Sequence, residues 1–127
     1  MTWSFAPDRP IFIQVQERLK QAIVAGHYSP GDKLPAVRDL AIEAAVNPNT
    51  AQRALMELER EGLVYSQRTS GRFVTEDNDV IEKIKDALAM ELVVAFLEKM
   101  AAIGYSAKET YALIERKTRK GDTNGDS

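Results

Sequence analysis

Residues 34–74 constrain the fold more than any other part of the chain, because helix-start and turn signals follow one another closely there. Pro35 keeps the residue before it extended, ahead of one short helix. Asn47-Pro48 then combines a favoured N-cap with a proline tolerated in the first helical turn. After Gly62, two β-prone runs at 63–66 and 72–74 flank a loop that ends at Gly71. The segment therefore predicts two helices in succession, followed by a β-hairpin.

A further amphipathic helix is predicted upstream, at about 11–25, with Gly26 as its C-cap signal. The second and third helices are expected at about 36–44 and from Asn47 to Gly62. Each has an apolar row at helical spacing: Phe12, Val15, Leu19, Ala22 and Ile23; Val37, Leu40 and Ala41; Ala51, Ala54, Leu55 and Leu58. Three helices and a hairpin in this order predict a winged helix-turn-helix at residues 10–75, after an N-terminal arm at 1–9.

The pattern of residues 76–120 predicts a segment of two helices after the winged helix-turn-helix. Polar residues 76–79 are typical of a hinge, and Asp79 with Glu82 resembles a capping pair that opens a long helix to about Ile103. The second half of that helix is apolar nearly all round, so it needs cover that one small helix cannot provide. A second copy of the chain is the natural cover, and the candidate dimerisation residues are Leu88, Leu92, Val93, Phe96, Leu97 and Met100.

A last helix is predicted from the capping box formed by Ser106 and Glu109, with basic residues near its end. Residues 121–127 have nothing to bury and are expected to be disordered. The predicted fold class is therefore α+β and mostly α, a winged helix-turn-helix followed by a two-helix dimerisation segment.

Composition excludes several classes of protein. The chain has no cysteine and one histidine, His27, in a turn region, and it lacks a glycine-rich phosphate-binding motif. No nucleophile–base pair or metal cluster can be assembled, so we expect no enzyme, no cofactor and no metal site. Asp77, Asp79 and Glu82 offer a cation site, but a solvated hinge and helix cap explain them better. Neither a signal peptide nor a membrane span is predicted, which implies a cytoplasmic location.

The net charge of −2 gives no general attraction for nucleic acid. Residues 1–75 carry +1 and residues 76–127 carry −3, so a positive field would have to come from a few arginines on one face. The helix that begins at Asn47 has suitable groups for a DNA major groove. Asn49 and Thr50 suit phosphates or base edges, Gln52 suits adenine and Arg53 suits guanine.

Other candidate DNA-binding residues lie in the helix before it and in the hairpin. Arg38 is in the first turn of the preceding helix. The hairpin contributes Arg68, Thr69, Ser70, Gly71 and Arg72, where a wing would touch phosphate or enter a minor groove. Each of these candidate residues also has an explanation that does not involve DNA. The polar groups can be solvated surface, Arg38 can pair with Asp39 or Glu43, and Arg53 can pair with Glu57.

Several motifs together resemble transcription factors of the GntR family, most closely the short YtrA-type branch. They are Pro10-Ile11-Phe12-Ile13-Gln14, Pro30-Gly31-Asp32-Lys33-Leu34-Pro35, Val37-Arg38-Asp39-Leu40-Ala41, Val46-Asn47-Pro48-Asn49-Thr50, Arg53-Ala54, Leu58-Glu59-Arg60-Glu61-Gly62-Leu63 and Phe73-Val74. The resemblance implies a homodimer that binds a palindromic operator on double-stranded DNA, as a repressor, often of transporter operons beside its own gene. It also implies DNA contacts at Arg38, Asn49, Thr50, Arg53 and the wing at 68–71, and it assigns no small-molecule effector.

Three residues depart from the family pattern. Ala36 stands where serine is common, which removes a helix cap; Ala45 stands where glycine is common in the turn between helices; and Thr69 replaces a wing glycine. Trp3 and Phe5 are expected to pack on the C-terminal helical pair. The rival interpretation is a winged helix that serves as a protein-interaction module without binding DNA.

Overall fold

A computed structural model describes residues 3–121, with side chains described through Arg119. Its elements are α1 (Ile11–Val24), α2 (Val37–Ala44), α3 (Pro48–Arg60), β1 (Val64–Gln67), β2 (Gly71–Val74), α4 (Asn78–Ala102) and α5 (Ala107–Gly121). The order of three helices and a hairpin confirms the predicted winged helix-turn-helix, followed by two C-terminal helices. The predicted disordered tail at 122–127 lies outside the described residues.

The core of the winged helix lies around α3, against which α1 and α2 both pack. The predicted inward row of α3 is fully buried at Ala51, Ala54, Leu55 and Leu58. Leu19 of α1 and Leu40 of α2 are buried in the same cluster. Burying each leucine side chain contributes roughly 1.5–3 kcal/mol, so the apolar rows fix the position of α3.

The hairpin is a two-stranded antiparallel sheet whose register pairs Val64 with Val74 and Gln67 with Gly71. The segment before α2 pairs briefly with β2. Lys33 forms an isolated antiparallel bridge with Phe73, and the Leu34 N–H donates to the Arg72 carbonyl at 2.9 Å. The extended conformation that Pro35 predicted for this segment is therefore present. It anchors the hairpin to the helical core.

The N-terminal arm packs on the winged helix. Trp3 and Phe5 lie against its core cluster and against each other, with ring centroids 6.0 Å apart. The cluster is formed mainly by the winged helix and includes Ile81 of α4, so the expected packing of Trp3 and Phe5 on the C-terminal helical pair stays a prediction. The buried amide of Gln14 holds the arm: Ala6 N–H donates to Oε1 at 2.7 Å, and Nε2 donates to the carbonyls of Ala6 and Arg9 at 2.9 Å.

Two of the departures from the family pattern have visible consequences at the ends of α2. Ala36 occupies the N-cap in extended conformation and supplies no side-chain hydrogen bond. Ala45 at the C-cap has φ 58° and ψ 48°, and it is the one non-glycine residue with positive φ in the described part of the chain. The turn thus keeps a left-handed conformation that suits glycine, at a steric cost to alanine.

The start of α4 differs from the prediction. The helix is capped by Asp77, whose Oδ1 accepts the N–H of Asp79 at 3.0 Å, so Asp79 lies in the first turn and is not the cap. The capping box of α5 is confirmed, because Glu109 N–H donates to Ser106 Oγ at 3.0 Å and Ser106 N–H donates to Glu109 Oε1 at 2.9 Å. α5 continues through Gly121, one residue beyond its predicted end.

The chain divides into two compact units, one ending at Lys85 and the other beginning at Asp86. Among the described helices, none combines the length and apolar character needed to cross a membrane.

Candidate nucleic-acid interface

The N-terminal turn of α3 is organised by its own cap. Asn47 is extended, and its Oδ1 accepts the N–H of Asn49 at 2.7 Å, while Pro48 follows in the first turn. Because the Asn49 N–H is already used inside the helix, its exposed side chain is the group that remains for a ligand. Asn47 and Pro48 therefore build the helix, as their sequence signals predicted.

The face of α3 opposite the buried row is polar and open. Asn49, Gln52 and Arg53 are exposed on it, and Met56 follows one turn later with about half of its surface exposed. Residues three and four apart lie on one side of a helix, so these four form a continuous surface. Thr50, beside them, is half-buried. The structure thus brings the predicted residues of α3 together.

Arg38 extends from the first turn of α2 and is exposed. In the described part of the chain it makes none of the ion pairs with Asp39 or Glu43 that were considered as alternatives. Glu43 instead accepts the indole N–H of Trp3 at 3.2 Å. The Arg38 guanidinium is therefore available to an anion.

The hairpin tip is formed by exposed Arg68, Thr69 and Ser70, and the Ser70 N–H closes the turn on the Gln67 carbonyl at 3.0 Å. Thr69 has no positive φ, so the turn closes there without the glycine that it replaces. Gly71 has φ 114°, and a Cβ atom there would lie 3.1 Å from Lys33 Cε. The tip therefore exposes one arginine and two hydroxyl groups.

Arg72 has a different environment from Arg68. Its side chain is largely buried, and its Nε lies 3.2 Å from Oε1 of Glu59 on α3. The two residues line a groove between α3 and the hairpin, together with Gln52, Met56, Arg60 and Ser66. Arg72 thus ties the hairpin to α3, and a DNA contact by its remaining donors stays a prediction.

Local ion pairing occupies the glutamates near the end of α3 and leaves three arginines of the winged helix without an acidic partner in the described part of the chain. Each glutamate near the end of α3 has a cation: Glu57 with Arg60 at 3.4 Å, Glu59 with Arg72 at 3.2 Å and Glu61 with Lys20 at 2.9 Å. Arg38, Arg53 and Arg68 have no acidic partner in the described part of the chain. These three guanidinium groups are therefore the candidates for the local positive field that the sequence required.

Arg53 makes one contact that the sequence analysis missed. Its Cζ lies 3.8 Å from the centroid of the Phe12 ring, which belongs to α1. Phe12 was predicted as part of an inward apolar row, and it is half-buried at the edge of the core. The expected alternative partner of Arg53, Glu57, pairs with Arg60 instead.

A separate hollow contains none of the candidate DNA-binding residues. It is lined by Arg18, Gln21, Ala22, Ala25, His27, Tyr28 and Glu43. His27 is exposed there. Burial raises the pKa of the Tyr28 hydroxyl, and the nearby Glu43 carboxylate raises it further.

A second surface of interest lies on α4 and α5. Leu92 is 69% exposed, Val93 49% and Phe96 45%, while Leu88, Leu97 and Met100 are half-buried. On α5, Tyr111 and Ile114 are also exposed. Contiguous exposed apolar side chains of this size are typical of an interaction surface.

Comparison with known proteins agrees with this geometry. Residues 13–74 match the family described as "Bacterial regulatory proteins, gntR family". The chain is 36% identical over 117 residues to the uncharacterized HTH-type transcriptional regulator YhcF of Bacillus subtilis, which covers 92% of this chain and 97% of that protein. A GntR family transcriptional regulator from Listeria monocytogenes has a similar structure, with a TM-score of 0.81, 36% identity and coverage of 88% of this chain and 98% of that one.

The chain belongs to the GntR family. The chain is 43% identical over 68 residues to the HTH-type transcriptional repressor YtrA of Bacillus subtilis, and the match covers 54% of this chain and 52% of YtrA. The DNA-binding domain of AraR, solved in complex with operator ORX1, has a TM-score of 0.55 and 28% identity, covering 59% of this chain and 96% of that domain. The GntR-family chain is thus a transcriptional regulator with a DNA-binding winged helix, not an enzyme.

The roles of three residues at this surface of the GntR-family chain were not predicted from the sequence. Met56 was left out because it is neither charged nor polar, although its spacing from Gln52 and Arg53 places it on the same face. Glu59 was treated only as part of a motif, and its ion pair with Arg72 depends on the hairpin folding back. Phe12 was predicted only as part of the inward apolar row of α1, since its stacking on Arg53 is a tertiary contact between α1 and α3.

Proposed function

We propose that this chain represses transcription by binding a palindromic operator as a homodimer. The observation that carries the proposal is that three arginines of the winged helix have no acidic partner in the described part of the chain, while the amide groups of Asn49 and Gln52 are exposed on α3. A solved operator complex of AraR and the repressor name of YtrA support the same role. Such a protein acts in the cytoplasm, where bacterial DNA is.

In this proposal α3 enters the major groove by its N-terminal turn. The Asn49 side chain and the Thr50 hydroxyl contact phosphates or base edges, Gln52 pairs with adenine, and Arg53 pairs with the O6 and N7 atoms of guanine. Met56, one turn further along the same face, is suited to a thymine methyl group. Specificity therefore comes from α3.

Arg38 and the hairpin position the domain. Arg38 contacts a phosphate from the first turn of α2, and Arg68 with Thr69, Ser70 and Gly71 follows the backbone or enters the adjacent minor groove. Arg72 sets the angle of the hairpin through Glu59. These contacts raise affinity for any duplex and fix the register of α3.

A homodimer is proposed because large apolar side chains of α4 and α5 are exposed in the described part of the chain. Leu88, Leu92, Val93, Phe96, Leu97 and Met100 form its centre. A two-fold axis would place two copies of α3 about 34 Å apart, which is one turn of DNA. Linking two domains that each carry little positive charge would also raise the affinity of the dimer above that of one domain. Dimerisation is then a condition for operator binding.

The test is a footprinting titration on the DNA upstream of the protein's own gene, with wild type and the Arg38→Ala and Arg53→Ala variants. Each substitution should weaken specific binding by roughly 1–3 kcal/mol. Arg116→Ala is the matched control, because Arg116 is an exposed arginine on α5 to which no DNA contact is assigned, and the variant should bind like wild type. A GntR-family chain that shows no salt-dependent binding to any duplex would instead be a protein-interaction module.

A further inference from the structure

The contact between Phe12 and Arg53 joins the face of α3 to α1. The guanidinium carbon lies 3.8 Å from the ring centroid, well within the roughly 6 Å at which cation–π attraction acts. Arg53 is exposed, Phe12 is half-buried, and α1 is fixed on α3 by the core. The ring is therefore a firm platform beneath a long and otherwise flexible side chain.

We propose that Phe12 is a positioning residue for base recognition, acting through Arg53. The inference rests on the proposed function and deepens it by naming the residue that presents the guanine-reading group. Stacking occupies one flat side of the guanidinium and leaves the N–H donors at its edge free. Those donors are the ones that pair in bidentate fashion with the O6 and N7 atoms of guanine.

The surrounding charges favour this role over a simple surface contact. Glu57, the acidic residue one turn along α3 from Arg53, pairs with Arg60 at 3.4 Å. Arg53 therefore keeps its donors unpaired in the described part of the chain while its plane is held by Phe12. Part of the side-chain entropy that a flexible arginine loses on binding is then lost before DNA arrives.

This role predicts an effect on specificity. Replacing Phe12 with leucine keeps the charge of the protein, so binding to unrelated duplexes, which depends on phosphate neutralisation, should not change. Operator binding should weaken by about three- to tenfold, the range expected for a cation–π contact at a partly exposed site. Phe12→Tyr retains an aromatic ring and should stay within about twofold of wild type.

The experiment is a double-mutant cycle with wild type, F12L, R53A and the double variant, measured by fluorescence anisotropy on the operator and on an unrelated duplex. In the R53A background, F12L should have no further effect on operator affinity, because the group it positions is gone. A second readout replaces operator guanines with 7-deazaguanine. Wild type and F12Y should lose affinity at one position in each half-site, and F12L should lose much less there.

The outcomes separate this proposal from the function on which it rests. The positioning role would be overturned if F12L lowered operator affinity equally in the wild-type and R53A backgrounds, or lowered affinity for unrelated DNA as much as for the operator. It would also be overturned if F12L bound the operator like wild type while R53A bound it more weakly. Wild-type affinity in R53A would overturn the guanine contact itself. Thermal unfolding checks that each variant is folded, and Phe12→Met, which keeps a similar apolar volume, replaces F12L where leucine unfolds the protein.

Discussion

Nε of Arg72 on the hairpin lies 3.2 Å from Oε1 of Glu59 on α3 and ties the two elements of the DNA-binding face together. Arg68, four residues earlier on the same hairpin, is exposed and has no acidic partner in the described part of the chain. Two arginines of one hairpin thus have different environments: Arg72 is paired inside the protein, and Arg68 is exposed and is the one proposed to contact DNA.

Arg68→Ala and Arg72→Ala should separate affinity from stability. Losing Arg68 should leave the free energy of unfolding unchanged, weaken duplex binding and reduce its salt dependence by about one released counterion. Losing Arg72 should cost up to about 1 kcal/mol of unfolding free energy, since the ion pair is partly solvated. Chemical denaturation and anisotropy at several salt concentrations measure both. Equal effects of the two substitutions on both properties would refute the distinction.

Ala45→Gly should stabilise the protein by roughly 1 kcal/mol, because Ala45 has φ 58° and glycine adopts this conformation without steric cost. The matched control is Ala25→Gly. Ala25 is also an exposed C-cap, but its φ is −82°, so glycine should lower stability there by increasing the entropy of the unfolded chain. Urea unfolding compares the two variants. A loss of stability in Ala45→Gly would show that the turn is not strained.

Ala36→Ser should also stabilise the protein, by about 0.5–2 kcal/mol. Ala36 already has the extended N-cap conformation, so a serine hydroxyl could accept a free N–H at the start of α2. Asn47→Ala is the complementary control, since it removes an existing cap hydrogen bond of 2.7 Å and should lose a similar amount. Thermal unfolding of both variants tests the pair, and a serine variant no more stable than wild type would contradict it.

Phe96→Glu and Leu97→Glu should each yield monomers, because a buried unpaired carboxylate at an apolar interface costs more than the interface can offset. Operator affinity should fall with the dimer. Thr118→Glu adds the same charge at an exposed polar position on α5 and should remain dimeric. Light scattering coupled to size-exclusion chromatography measures the mass of each. An unchanged dimer in both α4 variants would rule out this surface as the interface.

The sequence was sufficient where local chemistry decides the structure. Asn47-Pro48 and the pair Ser106 and Glu109 are caps in the structure as predicted, and the apolar row from Ala51 to Leu58 is buried because its spacing allows only one inward face. Asp77 and Asp79 show the limit of such signals. Both are favoured cap residues, and the sequence alone did not distinguish which of them precedes the first helical turn.

Contacts between distant segments were not predictable in this way. Gln14 is a polar residue that is buried because the arm folds back and satisfies its amide with the backbone of Ala6 and Arg9. The same dependence on tertiary packing hid the Arg72–Glu59 pair and the stacking of Arg53 on Phe12. Residue types indicated a DNA-binding face, whereas the folded chain was needed to distinguish the arginine that is paired inside the protein from those without an acidic partner in the described residues.

Selection of binding sites from a pool of random duplexes tests the central claim most directly. Wild type should enrich an inverted repeat whose half-site centres lie about 10 base pairs apart, since two copies of α3 read successive turns of one major groove face. The Phe96→Glu monomer should enrich nothing above the unselected pool. A wild-type protein that enriches no motif, or one without two-fold symmetry, would contradict the account.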